Sequence, residues 1–369
     1  MHDITTARGP RARQARRRAE KAAIRRLEAA AATLSVDVSE DDPAETMPPT
    51  SPAERATMES DSSTDDESPS ELAPIGLVAG VQRGGELSVL VDEHAAQAKL
   101  SRELLQQRVA ITVGDRVRVL PGRNGRPVVV GIEPRRTRLA RIREDRTRRS
   151  AFAREEAVLA ANVDVAVIVA AVAQPPFHPK LVDRFLVICQ YGGISPVLCL
   201  NKCDLVESPP DVSIYEQLGL PIVYTSAARG HGLEELRGLL RGRISVFTGH
   251  SGVGKSSLVN ALLGDGFQVV GAVRGADGRG RHTTTSSTLL RWDEGSFVVD
   301  TPGVRSLGIW RVEPATLAWY FPDLMAFSVG CRFSGCSHTH EPDCGVKAAT
   351  ESGAIPRQRY ESYVRMMEG

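Results

Sequence analysis

The central part of the chain, residues 162–308, alternates between apolar runs and amphipathic segments. Residues 163–170 are almost continuously apolar, which is typical of a strand buried on both faces of a parallel sheet. The same pattern predicts strands at 196–200, 221–224, 244–248 and 297–299, and helices at 179–191, 233–240 and 255–263. Strands that alternate with helices predict an α/β domain with a doubly wound parallel sheet, which binds its ligand at the carboxyl ends of the strands.

Residues 74–134 follow a different pattern, in which short β-rich runs are separated by turns that contain glycine. The predicted strands are 76–79, 87–91, 115–119 and 128–132. Several short strands at this spacing predict a small β-barrel. We expect an OB-fold, because a segment of about 60 residues suits five strands.

The first 73 residues have the composition of a disordered extension. Arginine and lysine crowd residues 8–26, while aspartate and glutamate dominate residues 37–71, so neither stretch can form an apolar core. Two interpretations remain open, a solvated tail without a specific role and electrostatic binding to RNA. Residues 135–161 are predicted to be an arginine-rich linker, whose run at 135–149 favours contact with nucleic acid over simple solvation.

Composition narrows the class of protein. Of the 369 residues, 41% are apolar and 25% are charged, as in ordinary soluble proteins. No apolar run approaches the roughly 20 residues of a membrane span, and no secretory signal is evident. We therefore expect a cytoplasmic protein without a membrane partner, and a monomer by default. In that reducing compartment, the cluster of Cys331, Cys336 and Cys344 indicates metal binding rather than disulfide bonds.

The most specific motif lies between the strand at 244–248 and the helix at 255–263. It reads G-x-x-x-x-G-K-S, the pattern of a phosphate-binding P-loop in the strand–loop–helix context that such a loop requires. We expect its backbone amides to surround phosphate oxygens, Lys255 to bridge the β- and γ-phosphates, and Ser256 to coordinate Mg²⁺. The predicted phosphate contacts are Gly249, His250, Ser251, Gly252, Val253, Gly254, Lys255, Ser256 and Ser257.

Guanine recognition is predicted where two other strands end. An Asn-Lys-Cys-Asp motif follows the strand at 196–200, and its Asp204 carboxylate can accept hydrogen bonds from the guanine N1–H and exocyclic amine. Adenine offers no matching donors, so the motif disfavours a P-loop ATPase or kinase. A Thr-Ser-Ala tripeptide after the strand at 221–224 is expected to contact the guanine carbonyl. The predicted guanine contacts are Asn201, Lys202, Cys203, Asp204, Thr225, Ser226 and Ala227.

Two further segments are predicted to contact Mg²⁺ and the γ-phosphate. Asp300 begins an Asp-Thr-Pro-Gly motif, which places its carboxylate near Mg²⁺ and the amide of Gly303 near the γ-phosphate. Residues 280–285 lie in a polar, glycine-rich stretch that suits a switch loop, and one of the three threonines at 283–285 should reach Mg²⁺. We choose Thr284, with its two threonine neighbours as alternatives. The predicted Mg²⁺ ligands are therefore Ser256, Thr284 and Asp300.

The residue after Gly303 is Val304 rather than the glutamine that orients water in Ras-type enzymes. We therefore expect slow intrinsic hydrolysis. His282 is the candidate for ordering the attacking water, and a role as a loop anchor is the alternative. With Lys255 and Thr284 it completes the predicted catalytic set.

The order of these motifs along the chain is unusual. Base recognition at 201–227 precedes phosphate binding at 249–256, and the segments that contact Mg²⁺ follow at 280–303. This order predicts a circularly permuted P-loop GTPase domain, because the same pieces can still meet at the strand ends of one sheet. The connectivity also leads from Gly303 straight into the C-terminal region, which nucleotide state could therefore move.

Residues 309–369 are predicted to form a helical zinc-binding module. Cys331, Cys336, His338 and Cys344 supply three thiolates and one imidazole, a set that suits a closed tetrahedral zinc site. His340 is an alternative nitrogen ligand. We expect the aromatic residues that precede the motif to form the core of the module; they are Trp310, Trp319, Tyr320 and Phe321.

The permuted order and the C-x4-C-x-H-x5-C spacing together resemble the RsgA (YjeQ) family of bacterial GTPases that depend on the small ribosomal subunit. The resemblance covers residues 74–369. It implies an OB-fold, a permuted GTPase domain and a zinc module. It also implies that the chain hydrolyses GTP to GDP late in maturation of the 30S subunit, stimulated by that subunit and bound to its rRNA. His250 and the extension 1–73 depart from the usual family pattern.

A second class of function competes with the enzyme. The chain could be a binding module whose GTP or GDP gates its attachment to RNA, with incidental turnover. Weak intrinsic hydrolysis fits both classes, whereas stimulation by 30S subunits fits only the enzyme.

Overall fold

The computed structural model describes residues 73–82, 85–122, 125–144, 154–264, 267–270, 287–300 and 314–368. Within these ranges the strands are β1 (Ile75–Val81), β2 (Leu87–Val91), β3 (His94–Leu100), β4 (Arg116–Pro121), β5 (Pro127–Ile132), β6 (Arg138–Glu144), β7 (Arg154–Ala161), β8 (Val165–Ala171), β9 (Ser195–Asn201), β10 (Ile222–Tyr224), β11 (Ile244–Thr248), β12 (Gln268–Val269), β13 (Thr288–Asp293) and β14 (Ser296–Asp300). The helices are α1 (Arg102–Gln106), α2 (Pro179–Gly192), α3 (Ser213–Gln217), α4 (Leu233–Leu240), α5 (Lys255–Leu263), α6 (Pro314–Leu317), α7 (Pro322–Met325), α8 (Gly345–Glu351) and α9 (Arg357–Glu368).

The central domain is a parallel sheet with helices on both faces. Strands β10, β9, β8, β11 and β14 lie side by side in that order and are parallel, and β13 joins the edge antiparallel to β14. Strand β8 is buried on both faces because all its residues are apolar. Side chains of α2 pack on one face, and those of α4 and α5 on the other. The predicted doubly wound α/β sheet is confirmed.

The N-terminal domain is a five-stranded barrel. Its strands pair in the order β1, β2, β3, β5 and β4, and the pairing of β4 with β1 closes the ring. Alternate residues point inward, and Val78, Val89 and Val117 are fully buried in its core. The predicted OB-like barrel is therefore confirmed. Strand β3 was missing from the sequence prediction because its alanine, glutamine and lysine residues have low β-propensity.

Much of the segment that we expected to be a linker forms a hairpin instead. Strands β6 and β7 pair antiparallel from Arg138 opposite Ala161 to Glu144 opposite Arg154. The base of this hairpin is buried, since Leu139 is 2% exposed and Ala160 is fully buried. Residues 145–153 lie outside the described residues. The dense charge of the segment hid the alternation that marks a strand.

The C-terminal module packs on the outer face of α2. Helices α6 to α9 surround a small core that includes Phe321 and also Val187 from α2. Of the aromatic residues expected there, Phe321 is fully buried, whereas Trp319 is 72% exposed, so its predicted core position is wrong. Trp310 lies outside the described residues. No helix in the described part of the chain has the length and apolarity to span a bilayer.

A buried ion pair network joins this module to the central domain. Arg359 of α9 is 2% exposed, and its guanidinium donates to Asp183 of α2 at 2.8 Å and to Asp323 of α7 at 2.9 Å. The guanidinium also stacks over the Phe321 ring, 4.3 Å from its centroid. Burial raises the pKa of Asp183, while the charge of Arg359 opposes that rise. The network therefore depends on Arg359 to offset the cost of two carboxylates at the junction.

Arg359→Ala is expected to destabilise the junction by about 3–5 kcal/mol, because it leaves a buried carboxylate without its partner. Hydrogen exchange of the α9 amides, followed by mass spectrometry, measures this as a lower free energy of opening. Arg357→Ala on the same helix is the control. Its side chain is 86% exposed and pairs with Glu361, so a change below about 0.5 kcal/mol is expected. Equal effects of the two substitutions would contradict the assignment.

Candidate nucleotide and metal sites

The predicted nucleotide-binding motifs meet at one edge of the central sheet. Asn201 is the last residue of β9 and Asp300 the last residue of β14. Thr225 follows β10 directly, and Gly249 follows β11 directly. Because these four strands are parallel, their carboxyl ends lie at the same edge, where doubly wound sheets bind ligands.

The buried side chain of Asn201 holds three loops together at this edge. Its Nδ2 donates to the carbonyl oxygen of Val253 in the P-loop at 2.9 Å. Its Oδ1 accepts from the Thr225 hydroxyl and from the Ala227 amide, both at 3.2 Å. Asn201 is only 1% exposed, so these bonds are shielded from water. The amide therefore fixes the predicted guanine-recognition loops relative to the predicted phosphate-binding loop.

The P-loop glycines are required by close backbone approaches. Gly249 has φ 139°, and a Cβ there would overlap the carbonyl oxygen of Val169 in β8. Gly254 has φ 94°, and a Cβ there would overlap the Nδ2 of Asn201. The second glycine thus leaves the space through which Asn201 reaches the loop.

Lys255 opens α5 and turns back along the P-loop. Its Nζ donates to the carbonyl oxygens of Gly249 at 2.8 Å and His250 at 2.6 Å. The side chain of His250 is exposed, and its Nδ1 lies 2.8 Å from the Ser251 carbonyl oxygen. Gly252, Ser256 and Ser257 complete the loop and the first turn of α5, with both serines exposed. A cation and the amino end of a helix therefore lie together at the strand edge.

Asp204 is held as a carboxylate by its neighbour Ser226. The Ser226 hydroxyl donates to Asp204 Oδ1 at 2.6 Å, and this bond lowers the pKa of Asp204. The backbone amide of Cys203 donates to the Thr225 carbonyl at 3.1 Å, which ties the two loops a second time. A charged acceptor at this position suits a ligand that offers N–H donors.

Sequence reasoning missed the contribution of the loop after β8. Lys202 lies in the left-handed region, with φ 65°, and its Nζ donates to the carbonyl oxygen of Gln174. Gln174 belongs to this loop, which follows the end of β8 at the same sheet edge as the predicted motifs. A backbone acceptor leaves no signature in sequence. The signal that could have identified this loop is its position after the carboxyl end of a parallel strand.

The structure describes only some of the residues that were predicted to contact Mg²⁺ and the γ-phosphate. His282, Thr284 and Gly303, together with Val304, lie outside the described residues. Asp300 is described and exposed; the register that pairs Val299 with Val246 brings it level with the end of β11. The structure therefore shows one of the two predicted Mg²⁺-contacting segments at the P-loop edge.

The four predicted zinc ligands converge in the C-terminal module. The ligand atoms of Cys331, Cys336, His338 and Cys344 all lie within 4.8 Å of one another. Cys331 Sγ is 3.8 Å from Cys344 Sγ, and the two sulfurs are 3.4 and 3.5 Å from His338 Nδ1. Tetrahedral zinc with bonds of about 2.3 Å to sulfur sets sulfur atoms about 3.8 Å apart, so this donor set fits a zinc ion.

Hydrogen bonds from neighbouring residues hold the backbone of the cluster, and the surroundings of His338 and His340 show which histidine belongs to it. The Tyr360 hydroxyl donates to the His338 carbonyl at 2.8 Å, and the Tyr363 hydroxyl to the Ser337 carbonyl at 2.7 Å. The side chain of His340 is 82% exposed, and its Nδ1 lies 3.1 Å from the Thr339 hydroxyl. The cluster therefore contains His338 and excludes His340.

Comparison with known proteins agrees with this geometry. The model of the RsgA GTPase family matches residues 132–310. The small ribosomal subunit biogenesis GTPase RsgA of Chlorobaculum tepidum is 42% identical over 265 residues, which cover 70% of this chain and 85% of that protein. The crystal structure of YjeQ from Thermotoga maritima superposes with a TM-score of 0.61 and 34% identity, covering 80% of this chain and 97% of that one. YloQ, described as a circularly permuted GTPase, superposes with a TM-score of 0.61 and 27% identity, covering 80% and 94%.

The P-loop on β11, which follows the guanine-recognition motifs on β9 and β10 in the chain, makes this protein a circularly permuted P-loop GTPase. An OB-like barrel precedes that domain and a Cys₃His cluster follows it. With the extent of identity just described, the chain belongs to the RsgA GTPase family.

Asp204→Asn is expected to lower affinity for GTP about 100-fold and to raise affinity for XTP. The substitution removes the carboxylate that is predicted to accept two guanine N–H bonds, while the new amide can donate to the C2 carbonyl of xanthine. Binding of labelled GTP and XTP to the purified protein measures the change. Asp211→Asn, an exposed aspartate whose Oδ1 accepts from the Ser213 amide, is the matched control. Unchanged GTP affinity in Asp204→Asn would show that this carboxylate does not read the base.

Proposed function

We propose that this chain hydrolyses GTP to GDP and phosphate during biogenesis of the small ribosomal subunit. The observation that carries the proposal is the position of Asn201. It belongs to one predicted guanine-recognition loop and bonds the other loop and the P-loop at one sheet edge. A phosphate cradle and a base-reading carboxylate joined in this way suit a guanine nucleotide. The name of the Chlorobaculum tepidum relative supports the ribosomal role.

The proposed nucleotide site assigns each group a task. The backbone from Gly249 to Gly254 surrounds the phosphates, Lys255 bridges the β- and γ-phosphates, and Ser257 contacts the phosphates beside Ser256. The Asp204 carboxylate accepts hydrogen bonds from the base. The Lys202 side chain, which bonds the Gln174 carbonyl and lies beside Gly254, borders the site on that side. Cys203 and the Thr225–Ala227 loop complete the base pocket.

Hydrolysis is proposed to require Mg²⁺, which neutralises charge on the β- and γ-phosphate oxygens when bound. Ser256 at the start of α5 and Asp300 at the end of β14 are the proposed ligands among the described residues, and Thr284 completes the set. Hydroxyl and carboxylate oxygens are the donors that this ion prefers. His282 orders the attacking water, and the Gly303 amide contacts the γ-phosphate.

One zinc ion occupies the cluster of Cys331, Cys336, His338 and Cys344 as a structural ion, since all four positions of a tetrahedron are taken by protein. The partners are GTP or GDP and the 30S subunit with its rRNA, and the protein acts as a monomer in the cytoplasm. Stimulation of hydrolysis by the subunit separates this proposal from a nucleotide-gated binding module.

The test of the function is GTP turnover by the purified protein alone, with 30S subunits and with 50S subunits, using ATP as the nucleotide control. We expect slow turnover by the protein alone, because Val304 stands where Ras-type enzymes have a glutamine that orients water. We expect strong stimulation by 30S subunits and none by 50S subunits. Lys255→Ala should weaken GTP binding and reduce turnover, since one charge-assisted phosphate contact is lost.

Tight GTP binding without 30S stimulation would instead favour the nucleotide-gated binding module. Turnover of ATP at the rate of GTP would contradict the assignment of the guanine-recognition loops. If 30S subunits do stimulate turnover, His282→Ala should lower the stimulated rate while GTP affinity is retained.

Zinc content tests the second site independently. Elemental analysis should find about one zinc ion per chain, and Cys331→Ser should remove it, because a three-ligand set leaves the tetrahedron open. His340→Ala is the matched control and should retain the full zinc content. Loss of zinc from His340→Ala and its retention in His338→Ala would reverse the ligand assignment.

A further inference from the structure

Trp319 projects from the C-terminal module into solvent. Its side chain is 72% exposed, although Leu317 and Phe321 on either side of it are buried in the module core. It lies in a turn of 3₁₀ helix, Ala318–Tyr320, between α6 and α7. Because the residues that flank the turn are anchored, the turn holds the indole outside the core. An exposed apolar side chain is informative where its neighbours form a site with it.

Two tyrosine rings and a guanidinium adjoin this turn. Tyr320, next to Trp319 in the chain, lies 5.9 Å from Tyr191 of α2, measured between ring centroids. The Arg138 guanidinium of β6 lies over the Tyr191 ring, 5.2 Å from its centroid. Burial raises the pKa of Tyr320, and the charge of Arg138 opposes that rise, so the cation acts on both tyrosines. We call Arg138, Tyr191, Trp319 and Tyr320 the aromatic patch.

The aromatic patch is built from three parts of the fold that are fixed to one another. Gly192, the last residue of α2, packs so closely against β6 that a Cβ there would overlap the Arg138 carbonyl oxygen. On the same helix, the Asp183 carboxylate bonds Arg359 of the module at 2.8 Å. A ligand that binds rings already held in place loses less free energy to ordering than one that binds mobile side chains.

The chemistry of the aromatic patch matches an unpaired RNA base beside its phosphate. Every base has a flat π-face that stacks on an aromatic side chain. A guanidinium binds phosphate oxygens through charge-assisted hydrogen bonds. Bases within a duplex cover these faces with one another, so an unpaired nucleotide is the form that offers a free face and a phosphate together. An aliphatic protein surface supplies neither.

We propose that Trp319 stacks on an unpaired RNA base while Arg138 binds an adjacent phosphate, so that the aromatic patch is an RNA-binding site shared by the hairpin, α2 and the C-terminal module. The inference rests on the proposed function only for the identification of this RNA as rRNA of the small subunit. Tyr191 lies roughly 18 Å along α2 from the end that follows the Gln174 loop, so the aromatic patch is separate from the nucleotide edge.

The first experiment measures binding of the full chain to a labelled single-stranded oligoadenylate. Trp319→Ala should weaken binding about tenfold, whereas Trp319→Phe, which keeps an aromatic face, should stay within about threefold of the wild type. Val329→Ala is the matched control, because it shortens an apolar side chain of the same module that is 92% exposed but cannot stack. Unchanged affinity in Trp319→Ala, or an equal loss in Val329→Ala, overturns the stacking role.

Salt dependence separates the contribution of the charge from that of the ring. Arg138→Gln should reduce the slope of log affinity against log salt concentration by about 0.7, the value for one phosphate contact with a single strand. Trp319→Ala should leave the slope unchanged because it removes no charge. A slope that is the same in Arg138→Gln and the wild type overturns the phosphate contact.

Photo-crosslinking locates the site without reference to turnover. When the wild type is irradiated with a single-stranded RNA that contains bromouridine, the tryptic peptide 312–332, which holds Trp319, should carry the cross-link. Cross-links confined to other peptides overturn the proposal. Weaker binding of Trp319→Ala to 30S subunits but not to the oligoadenylate overturns it in favour of a protein partner. A cross-link at Trp319 in a protein that 30S subunits do not stimulate refutes the proposed function and leaves the RNA site standing.

Discussion

One buried amide keeps the nucleotide end of this molecule assembled. Asn201 satisfies its oxygen with two donors from the loop after β10 and its nitrogen with one acceptor from the P-loop. Leaving any of these groups unpaired in a buried position would cost about 1–3 kcal/mol. The three loops are therefore more stable together than apart, through bonds that involve protein groups alone. Circular permutation leaves this arrangement intact because it depends on which strands are neighbours, not on their order in the chain.

Helix α2 connects the core of the central domain to the C-terminal module. Its inner face contributes Val182 and Phe185 to the core beneath the sheet, while Asp183 and Val187 contact the C-terminal module. The helix begins immediately after the loop in which Gln174 accepts from Lys202. One helix thus lies between the loop that contains Gln174 and the module that contains the Cys₃His cluster. The module is attached to the central domain through this helix, in addition to the covalent connection that follows Asp300.

Sequence patterns predicted those parts of the fold that local chemistry determines. The bounds of α4 and α5 agree with the predicted helices, because apolar periodicity and the P-loop context mark both ends. The edge of the sheet at which the nucleotide motifs meet was also predicted, because apolar runs marked the strands and each motif follows the carboxyl end of one of them. The pairing of β6 with β7 was missed because charged residues obscured the period of two. Trp319 was assigned to the core of the module because it is apolar. Its exposure could not be predicted, since the sequence of a short turn does not show which way a side chain points. Long-range pairs such as Asp183 with Arg359 leave no mark in either segment alone.

The chain between the barrel and the central domain is a paired ribbon instead of a flexible tether. Its base contacts both sides. The Ala161 amide donates to the Val113 carbonyl of the barrel at 2.9 Å, and the Arg138 guanidinium lies over the Tyr191 ring of α2, 5.2 Å from its centroid. Two domains on a loose tether lose orientational freedom whenever one partner engages both, and that loss weakens the complex. Here most of that freedom is already gone in the free protein. A large particle that meets the barrel and the central domain together therefore encounters a preorganised surface, and more of the contact energy remains as affinity.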